Sequence, residues 1–245
     1  MRVSRWLPDV IVSPLKWGLQ YRDVFRVPRA SIDHTAKVWR ILSQDYGFSR
    51  SIAELRCVTA ELKPLPWYTY PAIEYLLAFN FSTCRVFEYG AGASTLWWAE
   101  RAQNVVSVES EADWVAQLKP RLPANAQIHH EGDRDRFIRA PDGMFEVIVI
   151  DGPPSHGAGA RYACCEAMWP HLRPGGIVIL DNSDWLPDTC AWLRAQGLLQ
   201  IDFNGFSPIN YHTGRTSVFL SLPSLIPYGL AQPPVGGIQL NWEAQ

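Results

Sequence analysis

The sequence has no apolar stretch approaching the roughly 18 residues of a membrane-spanning helix, so a transmembrane protein is not expected. It also lacks a surplus of either charge. Its 22 Lys and Arg stand against 24 Asp and Glu, a formal net charge of −2. That balance removes any global argument for a polyanionic partner. No basic stripe interleaved with aromatics runs outside the first thirty residues, so nucleic acid is not the expected partner. Metal-type cysteine spacing is missing too. Cys57, Cys84, Cys164, Cys165 and Cys190 form no C-x-x-C pair, and an odd number speaks against a disulfide framework or a structural zinc site. The adjacent Cys164 and Cys165 read as helix packing residues, and a reducing cytoplasm is the expected compartment. No internal repeat is visible.

What is present is enough apolar material for a core: 47% of 245 residues. The first thirty residues are a different matter. Pro8, Pro14 and Pro28 interrupt them, and they lack the apolar run of a signal peptide. Six basic residues (Arg2, Arg5, Lys16, Arg22, Arg26, Arg29) face two acids, Asp9 and Asp23, with Trp6 and Trp17 between them. This reads as an arm packing its tryptophans on the domain. The alternative is peripheral contact with a membrane surface or an anionic partner. The prolines forbid one long amphipathic helix. Arm and tail are also the expected surfaces for any oligomer.

Three segments are expected. Residues 1–80 form a helical arm and cover, with helical periodicity over 32–57 and a helix opened by Pro71. Residues 81–222 form the core, and 223–245 an irregular Pro- and Gly-rich tail. In the core, short apolar runs (RVFEY, VVSVE, QIHHE, FEVIVID, GIVILD, LQIDF, TSVFLSL) alternate with helical ones. That alternation predicts an α/β fold: a Rossmann-like, doubly wound, mostly parallel seven-stranded sheet with helices on both faces. The last two runs are close in sequence and predict a terminal antiparallel pair.

The loop after the first strand, VFEYGAGAST, is the most informative stretch. Gly90 and Gly92 let the backbone turn sharply and approach a ligand. A helix starting near Ser94 or Thr95 directs backbone N–H groups at that ligand. Thr95 stands where a dinucleotide fingerprint needs Gly or Ala, which disfavours a nicotinamide dehydrogenase. Glu88 precedes Gly90 by two residues. Glu109 ends the second strand, where a carboxylate can accept both hydroxyls of a ribose. Asp133 follows Gly132 after the third strand. Taken singly, Glu88 also reads as an acid bracing the glycine loop, Glu109 as an exposed strand-end acid, and Asp133 as a turn or cap residue.

The ordered set E-x-G-x-G-x-S, Glu109 and Gly132-Asp133 resembles class I S-adenosylmethionine-dependent methyltransferases over about residues 85–220. The resemblance implies S-adenosylmethionine as cofactor. Glu88 would sit near its methionine end, Glu109 at its ribose and Asp133 at its adenine amino group, with Gly90, Gly92 and Ser94 also among the cofactor-binding residues.

The fourth strand ends at Asp151, and the fifth at Asp181-Asn182. These are hard oxygen ligands, suited to Mg²⁺ or Ca²⁺. They resemble the Asp, Asp and Asn of the metal-dependent, catechol-type O-methyltransferases, where the metal orients and acidifies the acceptor hydroxyl. A lysine base follows the first aspartate by three residues in that family. Pro154 stands there in this chain, and His156 is the nearest titratable substitute beside Asp151. The alternative makes Asp151 part of the cofactor pocket wall and Asp181-Asn182 a turn.

The expected activity is O-methylation of a small-molecule or glycan-type acceptor. N-methylation is the alternative, although no Asn- or Asp-Pro-Pro-Tyr motif is present, and a non-catalytic cofactor-binding scaffold is a third reading. Trp67 to Tyr70, Asp184-Trp185 and Asn210 to His212 are the segments expected over the open edge.

Overall fold

The computed structural model describes residues 29–139, 142–152, 159–227 and 229. The arm before Arg29, the candidate base His156 with Pro154, and nearly all of the tail lie outside the described residues. The chain divides into two compact units, Met1–Ile41 and Leu42–Gln245. The first contains helix α1, Arg29–Arg40, whose last turn carries Lys37 and Arg40, as suits the negative end of a helix dipole.

The second unit opens with α2 (Phe48–Glu54) and a loop closed by a bridge between Val58 and Pro64. Then comes α3 (Tyr70–Leu77), with Pro71 in its first turn where no N–H is needed. The sheet follows: β1 (Arg85–Tyr89), β2 (Asn104–Glu109), β3 (Ala126–His130), β4 (Phe145–Ile150), β5 (Leu172–Asp181), β6 (Leu199–Phe206) and β7 (Thr213–Leu220). Helices α4 (Ala93–Ala99), α5 (Ala112–Leu118), α6 (Arg134–Ile138), α7 (Ala160–Met168) and α8 (Pro187–Ala195) lie between them. The spatial order is β3-β2-β1-β4-β5-β7-β6. Strands β1 to β5 run parallel, and β7 pairs antiparallel with both β5 and β6. The Rossmann-like fold expected from the sequence is present, terminal antiparallel pair included.

Period-two side-chain alternation distributes the core over both faces. Val147, Val149, Ile177 and Ile179 join Tyr68, Leu76, Trp97 and Trp98 on one side. Ile148, Ile150, Val178 and Leu180 join Phe137, Cys165, Met168 and Leu193 on the other. All five cysteines are buried and unpaired.

The division into units falls after Ile41. The segment from 42 to 80 is part of the main core: Tyr68, Tyr70, Ala72, Ile73 and Leu76 are all buried. Helix α6 has no counterpart in the sequence-based expectation. Its five residues are too few for a periodic signal, yet it buries Phe137 and starts at an Asp133 cap.

The chain leaves β1 toward β2 and β3, then returns past β1 to place β4 on its other side. The carboxyl ends of β1 and β4 therefore flank the point where strand order reverses, the usual ligand crevice of such sheets. Gly90 and Asp151 meet there. A Cβ on Gly90 would lie 2.3 Å from the Asp151 carbonyl oxygen, and Gly90 has φ +88°. Only glycine satisfies both conditions.

Candidate active site

A cavity of about 480 Å³ opens over this crevice, within the range of small-molecule sites. One end is built by the glycine loop and β2. Gly90 to Ser94 form its floor, with Glu109, Trp114 and Leu118 beside them. Glu109 Oε2 accepts from the Ala91 N–H at 2.9 Å, while Oε1 accepts from the N–H groups of Ser110 (2.7 Å) and Glu111 (3.0 Å). The carboxylate is thereby fixed in orientation and tied to the loop. Trp114 and Leu118, four residues apart on α5, share one helix face. Trp114 Nε1 donates to the Ala91 carbonyl at 2.7 Å, which holds the indole against the loop.

Glu88 lies behind this floor and not on it. It is fully buried and does not line the cavity. Its Oε2 accepts from Thr95 Oγ1 (2.6 Å) and Ser107 Oγ (2.8 Å), and Thr95 Oγ1 also accepts from the Gly92 N–H at 3.1 Å. Thr95, the residue that departs from the dinucleotide pattern, is thus the pin between Glu88 and the loop. Glu88 Oε1 has no hydrogen-bond partner among the described residues. Burial pushes the carboxyl up to about 7 against the lowering effect of Ser94, Thr95 and Ser107. Asp133 is likewise away from the cavity. It is exposed and caps α6 by accepting from the Arg136 N–H at 3.1 Å. Of the six residues expected around the cofactor, Gly90, Gly92, Ser94 and Glu109 line the cavity, while Glu88 and Asp133 act as brace and cap.

The other end is lined by Asp151, Asp181, Asn182 and Arg161. Burial lifts the Asp151 carboxyl above the ordinary aspartate range; Arg161 opposes that and Glu109 reinforces it. Burial, then the nearby Asp151 charge, lifts Asp181 as well. The Asp181 side chain is already engaged, accepting from Thr216 Oγ1 at 2.6 Å.

Arg161, on α7, was not anticipated from the sequence. It donates from Nε to the Gly152 carbonyl (2.9 Å) and from Nη1 to the Asp181 carbonyl (2.6 Å) and Asn182 Oδ1 (3.1 Å). Its Nη2 donates to Asp151 Oδ1 at 3.3 Å. The expected metal set of Asp151, Asp181 and Asn182 therefore does not fit a metal. A guanidinium holds two of its members by their side chains, and the third turns its carboxylate to Thr216. Among the described residues, no group of three His, Cys, Asp or Glu side chains is placed to hold a metal.

Above the carboxylates the mouth is aromatic. Trp67, Trp185, Ile209, Asn210 and His212 line it, and Trp67 and Trp185 are half or more exposed. Trp67 Nε1 donates to Asn210 Oδ1 at 3.2 Å across 143 residues of sequence. All three segments expected over the edge contribute. Leu55 to Val58 and Pro64 add a wall that the sequence did not suggest.

Residues 87–183 match the family model described as "Methyltransferase domain". The matched stretch runs from β1 to just past the end of β5 and takes in the glycine loop, Glu109, Asp151 and Asp181, so this part of the chain is similar to methyltransferase domains. No curated protein matches the sequence. Among solved structures, a methyltransferase from Pyrococcus furiosus is similar at 17% identity and a TM-score of 0.48, over 62% of this chain and 82% of that one. The N-methyltransferase NodS from Bradyrhizobium japonicum is similar at 11% identity and 0.47, over 61% and 93%. A precorrin 8w decarboxylase from Methanobacterium thermoautotrophicum is similar at 15% and 0.45, over 62% and 88%.

Proposed function

We propose that the protein transfers the methyl group of S-adenosylmethionine to an oxygen of a small-molecule or glycan-type acceptor. One observation carries this reading: a single cavity runs from the Glu109 and glycine-loop end to a carboxylate floor under an aromatic mouth. Both reactants can therefore lie in one enclosure, and their alignment is most of what methyl transfer from an already activated sulfonium requires.

Glu109 accepts from the ribose hydroxyls, and Trp114 with Leu118 supplies an apolar wall for the adenine. Gly92 leaves room for the methionine portion to approach the backbone, since the nearest atom a Cβ there would meet is 3.7 Å away. Asp151 is the base. A hydroxyl must lose its proton as the methyl group arrives, and a carboxylate lifted toward neutrality is well matched to take it. The aromatic mouth offers stacking faces for a sugar or an aromatic ring. A neutral amine needs no such base before attack, so the placement of Asp151 favours oxygen over nitrogen.

Calorimetry should show S-adenosylmethionine binding and no NAD binding. A panel of hydroxylated small molecules, glycans and amines should then give methyl ethers as products. Asp151→Asn should lower kcat by about 10²-fold or more while leaving cofactor affinity nearly unchanged. Turnover restricted to amines would move the reading to N-methylation, and binding without turnover across the panel would favour the scaffold.

A further inference from the structure

Arg161 sits among the strand-end oxygens around Asp151, Asp181 and Asn182 that the sequence offered as a divalent-cation set. Its partners are four oxygens: the Gly152 and Asp181 carbonyls, Asn182 Oδ1 and Asp151 Oδ1. They come from the ends of β4 and β5 and the residues just beyond. Such a set is chemically a hard-cation site, and here a guanidinium fills it. A guanidinium has five N–H groups in a fixed planar fork. Four of them are engaged by these oxygens. The fifth, on Nη2, has no partner among the described residues, and Arg161 lines the cavity.

We propose that Arg161 is the built-in cation of this site: it takes the position of a divalent metal, fixes the two strand ends together, and offers its remaining N–H to the acceptor oxygen. The inference rests on the reading that the Asp151 end of the cavity is the acceptor end. An arginine cannot be chelated away and does not exchange with solvent ions, so the active protein needs no divalent cation. It also differs from a metal in reach. A metal bonds the acceptor oxygen directly and acidifies it, whereas a guanidinium only donates a hydrogen bond, so proton removal falls to Asp151. Lysine would not serve, because an ammonium has three donors and no planar fork to span four oxygens.

The test is to titrate Mn²⁺ into the full-length protein saturated with S-adenosylhomocysteine, by calorimetry and by thermal melting, for wild type and Arg161→Ala. The wild type is expected to give no Mn²⁺ binding and the same melting temperature with or without EDTA. Arg161→Ala, with four oxygens freed, is expected to melt lower than wild type, to bind Mn²⁺ at one site, and to recover part of the lost melting temperature with it. Wild-type Mn²⁺ binding that Asp151→Asn abolishes would overturn the proposal, as would an Arg161→Ala protein that melts like wild type or takes up no Mn²⁺. If Arg161→Ala fails to fold, the wild-type titration still decides, and Arg161→Lys gives a second readout: a lowered melting temperature is expected, and an unchanged one counts against the fork geometry. Failure of S-adenosylhomocysteine to bind at all would refute the cofactor reading instead, so the two failures are distinct.

Discussion

At the scale of single residues, Glu88 carries a measurable consequence of being buried behind the loop. Its carboxyl is pushed up to about 7, chiefly by desolvation. In the unfolded chain it returns to the ordinary glutamate value near 4.3. Between those two values the folded protein holds a proton that the unfolded chain has released. Stability therefore falls as pH rises through this window and levels off above it, by up to about 4 kcal/mol in all. Asp151 and Asp181, also lifted, slope the same way, so a comparison is needed to isolate Glu88. Glu88→Gln keeps the shape and removes the titration. Denaturant unfolding near pH 5 and near pH 8 should show the variant losing less stability over that interval than wild type. Parallel losses would mean that Glu88 titrates normally. Arg161 teaches a related lesson. Nothing in GARYACCEAM marks one arginine as different from any other on a helix. Its importance comes from oxygens 9 to 21 residues away in sequence, and only the fold brings them around it.

At the scale of elements, the turn from β1 into α4 contains two glycines with different work. Gly90 has φ +88° and no room for a Cβ; Gly92 is extended and has space. Gly90→Ala should therefore cost at least about 2 kcal/mol of stability, from left-handed strain and overlap with the Asp151 carbonyl. Gly92→Ala should stay within about 0.5 kcal/mol of wild type and instead weaken S-adenosylmethionine binding. Equal destabilisation of the two would contradict this division of roles. Much at this level was legible beforehand. All seven strands overlap the short apolar runs of the sequence: β1, β4 and β5 are buried on both faces for most of their length and write that burial into continuous apolar runs, whereas β3 and β6 are partly exposed and were marked by shorter apolar content between turns. The glycine loop and Glu109 were legible for a similar reason: their spacing is local. Glu88 and Asp133 were harder. Each is an acid at the expected position, but whether it faces the cavity depends on side-chain direction, and Thr95 and the α6 amino terminus claim them. Trp114 left a faint signal, an aromatic five residues after the strand-end acid with Leu118 four further on. The π-helical turn Ile41–Asp45 left none.

At the scale of the whole molecule, the cavity is assembled from several widely separated portions of the chain. The proposed cofactor end comes from residues around 90 to 118. The proposed acceptor end joins Trp67, from before the sheet, to Asn210, from the β6–β7 connection, over Asp151, Arg161 and Asp181. Changes at the mouth should thus be felt by the acceptor alone. Trp67→Ala is expected to raise acceptor KM about tenfold or more, as the loss of a stacking aromatic implies, with S-adenosylmethionine affinity unchanged. A variant that loses both in equal measure would show that the two ends are not separable.

The strand order has one further consequence, in the timing of synthesis. Among the described residues β7 is the last strand in sequence, yet it does not join the sheet at the outside; it enters between β5 and β6. A nascent chain that has emerged only as far as β6 therefore displays the whole edge of β5, an open template for pairing with neighbouring chains. At that moment the glycine loop and Glu109 already exist, while Thr216, the partner of Asp181, does not. The growing polypeptide can thus form its glycine-loop half early, but the β5 edge stays adhesive, and Asp181 without its Thr216 partner, until β7 slides home.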